Sequence, residues 1–206
     1  MRLLQKFRLS NKKRIVFVFL ASLLLIIALG LYLSLQVETG SFGINAMAFP
    51  TSMPIFKSES AHFTMQYPSN WTAIETPQGD HGDLNVVAVI LPPGRSFPQM
   101  VVASRPISDG DIGEVVSWGT MRASKKPKYN SGIVTSLNTT HFRGFTHDYT
   151  WLNQTFFGTE TIYCQDFYVL DGDVGYVLSS CAQSRDWPNF RKLFYDMIQS
   201  FSTDRN

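Results

Sequence analysis

The chain has 206 residues, of which 44% are hydrophobic and 14% aromatic, a composition typical of a folded domain rather than a disordered tail. Its net charge of +2 hides an asymmetry, because six of the 18 basic residues lie within 1–14 and all 16 acidic residues come later. The net charge beyond residue 14 is therefore 12 − 16 = −4, which gives no reason to expect nucleic acid as a partner.

An uncharged apolar run follows the basic tail, from Ile15 to Leu35. Its 21 residues, as a helix rising ~1.5 Å per residue, match the ~30 Å hydrocarbon core of a bilayer. Basic residues flanking a span stay on the cytoplasmic side. We therefore predict a cytoplasmic tail at 1–14, a transmembrane helix at 15–35, and a carboxyl-terminal domain outside the cytoplasm.

A cleaved signal peptide is the alternative interpretation of this run, because Ala46-Met47-Ala48 has the small-x-small form of a cleavage site. The apolar run is longer than the ~7–15 residues usual for a signal peptide core. The candidate cleavage site also lies 13 residues beyond Leu35. Both features favour an uncleaved signal anchor that holds the protein in the cell membrane by a single span.

The part outside the membrane is predicted to consist of a linker at 36–55 and one domain at 56–203. The linker contains glycines and prolines without an apolar period. In the domain, Phe63, Met65 and Tyr67 alternate with polar residues, which indicates a strand with one buried face. The predicted strands are 63–67, 71–74, 84–91, 99–104, 133–140, 145–153, 159–170 and 174–183.

Two helices are predicted among these strands. Asp111 can cap the first, and Glu114 completes a capping-box-like pair with it. Asp186 can cap the second, with Pro188 in its first turn. Apolar residues recur at helical spacing in the second helix: Phe190, Leu193, Phe194, Met197, Ile198 and Phe201. Such a stripe must pack on the sheet, so the pattern predicts an α+β domain with helices on the faces of an antiparallel sheet.

Cys164 and Cys181 lie on the two arms of the last predicted hairpin. If the turn is Gly172-Asp173, the two cysteines face each other directly, at the Cβ separation of ~4.5–5.5 Å that approaches disulfide geometry. A turn at Asp171-Gly172 would instead place Cys164 opposite Ser179, and two free thiols remain an alternative. A disulfide would persist outside the cytoplasm.

Catalytic and metal-binding motifs are absent from the sequence. His141 and His147 are six residues apart, but a break at residues 142–144 separates them, so we interpret both as polar surface or turn residues and assign no metal site there. The polar loop at 80–83 is interpreted as a loop and not as a cation site. Asp171-Gly172-Asp173 lacks the acidic residue that a calcium loop needs at its twelfth position. We therefore predict no catalytic residue, no metal and no cofactor.

Two short motifs resemble the PsbP-like family, which includes the photosystem II extrinsic protein and a Ran-binding nuclear import factor. The first is Phe63 followed by Tyr67-Pro68 and Trp71, and the second is Ile198-Gln199-Ser200-Phe201 near the end of the chain. The resemblance covers residues 56–203. It implies an α/β/α sandwich with a central antiparallel sheet and a role in binding partner proteins, but no metal or partner site of the family maps onto this chain.

The expected function is a non-catalytic binding or assembly module, tethered to the bilayer through residues 15–35, whose partner is a membrane or envelope protein. A domain that binds a small ligand or an ion in a pocket beside the sheet is the second hypothesis. An enzyme is the third, and the absence of motifs ranks it last.

Overall fold

The computed structural model of the protein describes residues 52–76, 85–108, 110–156 and 158–204. The predicted cytoplasmic tail 1–14, the predicted span 15–35 and the linker up to residue 51 lie outside the described residues. Within the described ranges, neither helix has the length and hydropathy needed to cross a bilayer. The first strand includes Ile55, so regular structure begins one residue before the predicted domain boundary.

The described strands form two antiparallel sheets. The strands are β1 Ile55–Ser58, β2 Phe63–Gln66, β3 Thr72–Glu75, β4 Val86–Leu91, β5 Gln99–Pro106, β6 Asn130–Asn138, β7 Arg143–Thr155, β8 Gly158–Asp171, β9 Val174–Gln183 and β10 Ser202–Thr203. The larger sheet has seven strands in the order β3-β4-β5-β9-β8-β7-β6, and the smaller has the order β1-β2-β10. The eight predicted strands are confirmed, and β1 and β10 are additional.

Two helices, α1 at Ile112–Ser124 and α2 at Trp187–Ser200, cover opposite faces of the seven-stranded sheet. A separate hydrophobic core lies under each helix, and neighbouring residues of β8 belong to different cores. Tyr168 packs with α1 and Phe167 packs with α2. This alternation follows from the two-residue period of a strand. The described domain is therefore an α+β fold with a helix on each face of an antiparallel sheet, as predicted.

Helix α1 begins as predicted but is not closed by a capping box. The Asp111 carboxylate accepts a hydrogen bond from the Gly113 N–H at 2.8 Å, which satisfies one free amide of the first turn. The Glu114 carboxylate does not return to the cap, because it pairs with the Arg105 guanidinium at 2.8 Å. The ion pair ties the start of α1 to β5 instead.

Helix α2 carries the predicted apolar stripe, and the residues of the stripe are buried. Asp186 stands at the cap position, but its side chain makes no capping hydrogen bond, so that detail of the prediction is wrong. Asp186 has helical backbone angles there, with φ −97° and ψ −15°. The extended conformation that directs a cap side chain towards the first amides is therefore missing.

The two motifs that resemble the PsbP-like family contact each other. The rings of Phe63 and Phe201 lie 5.4 Å apart. The Gln66 N–H donates to the Ser200 hydroxyl at 2.9 Å. Trp71 packs on the same helix, with its ring 6.1 Å from that of Phe194. Tyr67 is partly buried and Pro68 is buried. These residues hold β2 and the turn after it against α2, which gives the motif a structural role.

The β8–β9 hairpin turns at Gly172-Asp173, and Asp171 pairs with Val174. Cys164 therefore faces Cys181, with their Cα atoms 4.2 Å apart, and the two form a disulfide. The alternative register that placed Cys164 opposite Ser179 is wrong, as is the alternative of two free thiols. Gly172 takes a left-handed conformation with φ +59°, which glycine adopts without a steric penalty.

Replacing both cysteines by alanine should lower the free energy of unfolding by about 3 kcal/mol, the loop-closure value for a disulfide between residues 17 apart. Urea denaturation of the double variant and of the wild type would measure this difference. Wild-type protein treated with a reductant should lose a similar amount. Equal stability of the oxidised and reduced proteins would contradict the prediction.

Candidate functional site

A buried group of titratable side chains lies on the α1 face of the sheet, where β7 and β8 pair. His147 of β7 stands directly opposite Asp166 of β8. The two residues are 0% and 2% exposed. Tyr149 and Tyr168 come from the same strands and are buried beside them. All four side chains point to one face because they occupy alternate strand positions.

Both ring nitrogens of His147 have polar neighbours. Nδ1 lies 3.0 Å from the Tyr168 hydroxyl. Nε2 lies 3.0 Å from the Ser131 hydroxyl and 3.3 Å from the Tyr129 hydroxyl. Burial lowers the pKa of His147, because the charged imidazolium loses its hydration there. A neutral imidazole with a polar group on each side satisfies its hydrogen bonding without carrying a charge into the core.

The Asp166 carboxyl accepts hydrogen bonds from the hydroxyls of Tyr149, at 3.2 Å, and Tyr168, at 3.5 Å. Burial raises the pKa of Asp166 to about 6, and the hydrogen bond from Ser179 and the positive charge of Arg122 lower it in part. Burial also raises the pKa of both tyrosines. This network therefore titrates nearer to neutrality than an exposed carboxylate does.

The network is closed to substrate. His147 and Tyr168 have no exposed surface, and their polar atoms already contact one another. A general base must reach the proton that it removes to within about 3 Å. In this conformation the arrangement links β6, β7 and β8 beneath α1, and it presents no reactive atom to solvent.

The two other described histidines, His62 and His141, do not join this network. His141 lies exposed in the turn between β6 and β7, which confirms that His141 and His147 are separated. The interpretation of His147 as a surface or turn residue is wrong, because the side chain is fully buried. His62 is exposed near Asp204, and the loop 80–83 with His81 lies outside the described residues. Among the residues that are described, no three His, Cys, Asp or Glu side chains gather as metal ligands.

Sequence reasoning did not find the network. One signal was present in β8, where Cys164, Asp166 and Tyr168 occupy alternate strand positions and therefore share a face. A carboxylate between a disulfide and a buried tyrosine indicates a polar cluster inside the core. The partners from β6 and β7 could not be identified without the strand pairing.

An open groove of about 510 Å³ lies on the opposite face, between α2 and the outer strands β6 and β7. It forms because the seven-stranded sheet extends beyond the helix that covers its centre. The lining is mainly polar and includes hydroxyl, amide and basic side chains. The lining residues are Thr135, Ser136, Leu137, Thr146, Gln165, Pro188, Arg191, Lys192 and Tyr195.

Several polar groups of the groove are positioned by neighbours. The hydroxyls of Thr135 and Thr146 lie 2.9 Å apart across β6 and β7. Lys192 pairs with Asp196 at 2.6 Å, one turn along α2. Tyr195 is 46% exposed at the side of the groove formed by α2. The groove thus has hydroxyl groups along the strands and basic and aromatic side chains along α2.

Comparisons with known proteins bear on the fold of this domain. No protein-family model matches the sequence, and no curated protein matches it. The solution structure of cyanobacterial PsbP from Synechocystis is similar at a TM-score of 0.56, with 10% identity, over 76% of this chain and 95% of that chain.

The described domain has a PsbP-like fold. A protein from Bacteroides thetaiotaomicron is similar at a TM-score of 0.50 with 12% identity, over 74% of this chain and 48% of that one. Identity at this level establishes fold and not activity. The resemblance found in the two sequence motifs is confirmed at the level of the PsbP-like fold.

The stability of this PsbP-like domain should depend on pH through Asp166. Burial raises the pKa of Asp166 in the folded protein from 3.8 to about 6. The contribution of this carboxyl to the free energy of unfolding is therefore complete below pH 3.8 and is lost as pH rises through 6. The lowered pKa of His147 acts in the opposite sense, since its stabilising effect is lost as pH falls below 6.5.

As the pH rises from 4 to 7, the free energy of unfolding of Asp166→Asn should therefore increase by about 2–3 kcal/mol relative to that of the wild type. Urea denaturation of both proteins at each pH measures the difference, and the His147 contribution is common to both. A stability difference that stays constant across this range would contradict the raised pKa of Asp166.

Gly119→Ala should destabilise the PsbP-like domain although alanine favours helices by about 1 kcal/mol. A Cβ at Gly119 would overlap Cε1 of Tyr168 and lie 3.0 Å from its Cδ1, and that ring is fixed by His147. Overpacking of this kind costs about 1–3 kcal/mol. Thermal or urea unfolding measures the loss, and Ser117→Ala on the exposed side of α1 is the control. A stabilised Gly119→Ala protein would contradict the contact.

Proposed function

We propose that the protein is a non-catalytic binding or assembly module held at the outer face of the cell membrane by residues 15–35. Its partner is a membrane or envelope protein, which it contacts through the groove between α2 and the outer strands β6 and β7. The observation that carries this proposal is a contrast. The titratable cluster around His147 and Asp166 is closed, whereas the groove that includes Arg191 and Tyr195 is open.

The disulfide supports the location outside the cytoplasm. Cys164 and Cys181 are 0% and 5% exposed and bonded within the core. Structural disulfides of this kind persist in oxidising compartments and are rare in the cytosol. The basic tail and the uncharged run in the sequence favour the same orientation, with the amino terminus in the cytoplasm.

The groove supports binding rather than chemistry. Its basic side chains are Arg191 and Lys192, and no histidine or cysteine lines it. Tyrosine and arginine are the residue types that contribute most to protein interfaces. A PsbP-like fold is compatible with this function, although a fold alone does not identify a partner.

Substitution of two groove residues should weaken capture of the partner protein. We expect tagged full-length protein, purified in detergent from membranes of its source, to enrich one membrane or envelope protein. The double variant Arg191→Glu and Tyr195→Ala should reduce this enrichment about tenfold or more, since such residues carry most interface energy. Lys125→Glu, the same kind of charge change at the exposed end of α1, is the control. Equal enrichment by both variants would contradict binding in the groove.

The topology is tested separately on intact cells. Protease added outside should digest the carboxyl-terminal domain, and a maleimide reagent should label the denatured protein only after reduction of the disulfide. A carboxyl-terminal domain that is protected from protease in intact cells would contradict the location. A mature chain that begins beyond Ala48 and is released from the membrane would contradict the tether.

A small anionic ligand is the second candidate, because the groove volume of about 510 Å³ falls within the ~300–1,000 Å³ range of ligand pockets. The Arg191 guanidinium is the group suited to a carboxylate or phosphate. Thermal shift of the full-length protein against inorganic phosphate, carboxylic acids and divalent metals tests this candidate. Stabilisation that disappears in Arg191→Glu would favour it over a protein partner.

A further inference from the structure

The β7–β8 hairpin extends beyond the strands on either side of it. β6 begins opposite Thr150, and β9 ends opposite Ile162. The pairing of the hairpin continues to Thr155 and Gly158, so its end projects roughly 10 Å past both neighbouring strands, at ~3.3 Å per residue. Phe156 follows in the turn and is 97% exposed. The end of the hairpin therefore presents an aromatic side chain to the surroundings of the domain.

The connections at this end of the sheet are rich in basic residues. The Leu152 N–H donates to the Pro127 carbonyl at 2.9 Å, which holds the loop 125–129 beside the hairpin. Because neighbouring strands are antiparallel, the β4–β5 and β9–α2 connections lie at the same end. We call this end of the domain the basic end. Its exposed basic residues are Arg95, Lys125, Lys126, Lys128 and Arg185.

The opposite end of the domain carries the opposite charge. The described connections there contain four acidic residues and neither lysine nor arginine. These acidic residues are Glu59, Asp111, Asp173 and Asp204. The acidic residues near the basic end are Asp186 and the partly buried Glu160. A charge separation of this kind orients a protein in front of a charged surface. The basic end should face a negative one.

The chain also enters the domain at the basic end. β1 begins at Ile55, which pairs with Gln66 at the end of β2. The Tyr67 N–H donates to the Pro54 carbonyl at 3.0 Å, and the turn that follows leads into β3 at the same end. Ile55 is 66% exposed, which adds a second apolar side chain there. The predicted linker therefore joins the domain at the end that carries Phe156 and the lysines.

We propose that the basic end docks on the surface of an anionic phospholipid bilayer. The Phe156 ring enters the headgroup region, and the lysines of the loop 125–129 contact lipid phosphates. Aromatic rings are enriched at this depth of a bilayer, and anionic lipids attract each lysine or arginine near the surface. The proposal rests on the membrane tether of the proposed function. It adds a reversible contact between the folded domain and the membrane that holds it.

The shape of the basic end favours a lipid surface over a protein partner. A stable protein interface buries about 800 Å² on each partner and requires a matching surface. The end of the hairpin projects past its neighbours, so a rigid partner would contact only a small area of it. Lipid headgroups rearrange around a projecting ring. The long side chains of the exposed lysines can reach those headgroups at the same time.

Docking can be measured with a fluorophore on full-length protein reconstituted into vesicles. Gln154→Cys supplies one free thiol near the end of the hairpin, because the two native cysteines are bonded to each other. His141→Cys, in the exposed β6–β7 turn, places the matched label at the opposite end. The vesicles contain equal parts of phosphatidylcholine and phosphatidylglycerol, with a nitroxide quencher on the acyl chains. We expect quenching of the label at 154 and none at 141, and much weaker quenching in phosphatidylcholine alone.

Two substitutions separate the aromatic and the electrostatic contributions. Phe156→Ser and Lys128→Glu should each lower the ratio of docked to undocked protein about fivefold or more, since one removes apolar burial and the other removes attraction to anionic lipid. Ile133→Ser is the control for the first, because Ile133 is 71% exposed on β6. Arg143→Glu, exposed at the start of β7 on the opposite end, is the control for the second. Both controls should leave quenching unchanged, and circular dichroism confirms that all four variants fold.

Three results would overturn the proposal. One is an absence of quenching at 154, or equal quenching at 154 and 141. Another is equal quenching with and without phosphatidylglycerol. The third is quenching that persists in both Phe156→Ser and Lys128→Glu.

Failure of the proposed function would look different. A wash in about 1 M salt, where the Debye length is ~3 Å, should release the docked end but leave a spanning chain in the vesicles. A chain that stays in the vesicles without quenching at 154 retains the tether and overturns docking alone. A chain that is quenched at 154 but leaves in the wash overturns the tether. Partner capture is measured in detergent without an anionic bilayer, and Arg191→Glu should lower capture while quenching stays unchanged.

Discussion

The register of the β8–β9 hairpin is the constraint on which the rest of the domain depends. These two strands occupy the middle of the seven-stranded sheet, and their side chains form the inner surface of both cores. Tyr168 and Val177 pack with α1, while Phe167 and Leu178 pack with α2. A slip by one residue would exchange these two sets between the faces. The turn at Gly172-Asp173 and the disulfide fix the register at both ends of the hairpin.

The α1 core contains polar groups that a purely apolar core would avoid. His147 and Asp166 are connected through tyrosine hydroxyls rather than through a direct ion pair. The Tyr168 hydroxyl contacts the His147 ring, and the hydroxyls of Tyr149 and Tyr168 donate to the Asp166 carboxyl. Each of the two titratable groups is displaced in pKa towards its neutral form, which reduces the cost of burial. A buried polar network whose groups are satisfied rigidifies the core and fixes a unique arrangement of the strands that contribute to it. The network therefore connects β6, the outermost strand, to the centre of the sheet.

The helical stripe of α2 and the position of the disulfide could be predicted from the sequence, because each depends on local spacing. Leu193, Phe194 and Met197 repeat with the period of a helix, and Cys164 and Cys181 are equidistant from one turn. The network around His147 could not be predicted, since its members come from β6, β7 and β8 and meet only through strand pairing. The groove could not be predicted either. It lies where the sheet extends beyond α2, and the width of the sheet does not follow from the sequence.

By itself, the sequence determined the order of eight of the ten described strands and of the two helices, the antiparallel hairpin with its paired cysteines, and the expectation of a span at 15–35. Those features follow from periodicity, turn chemistry and runs of apolar residues, which are properties of neighbouring positions. Only the tertiary structure decided that β6 is the outermost described strand of the sheet and that His147 is buried rather than exposed. The physical reason is that burial and strand order depend on which distant segments pack together, and contacts between distant segments leave little trace in local spacing.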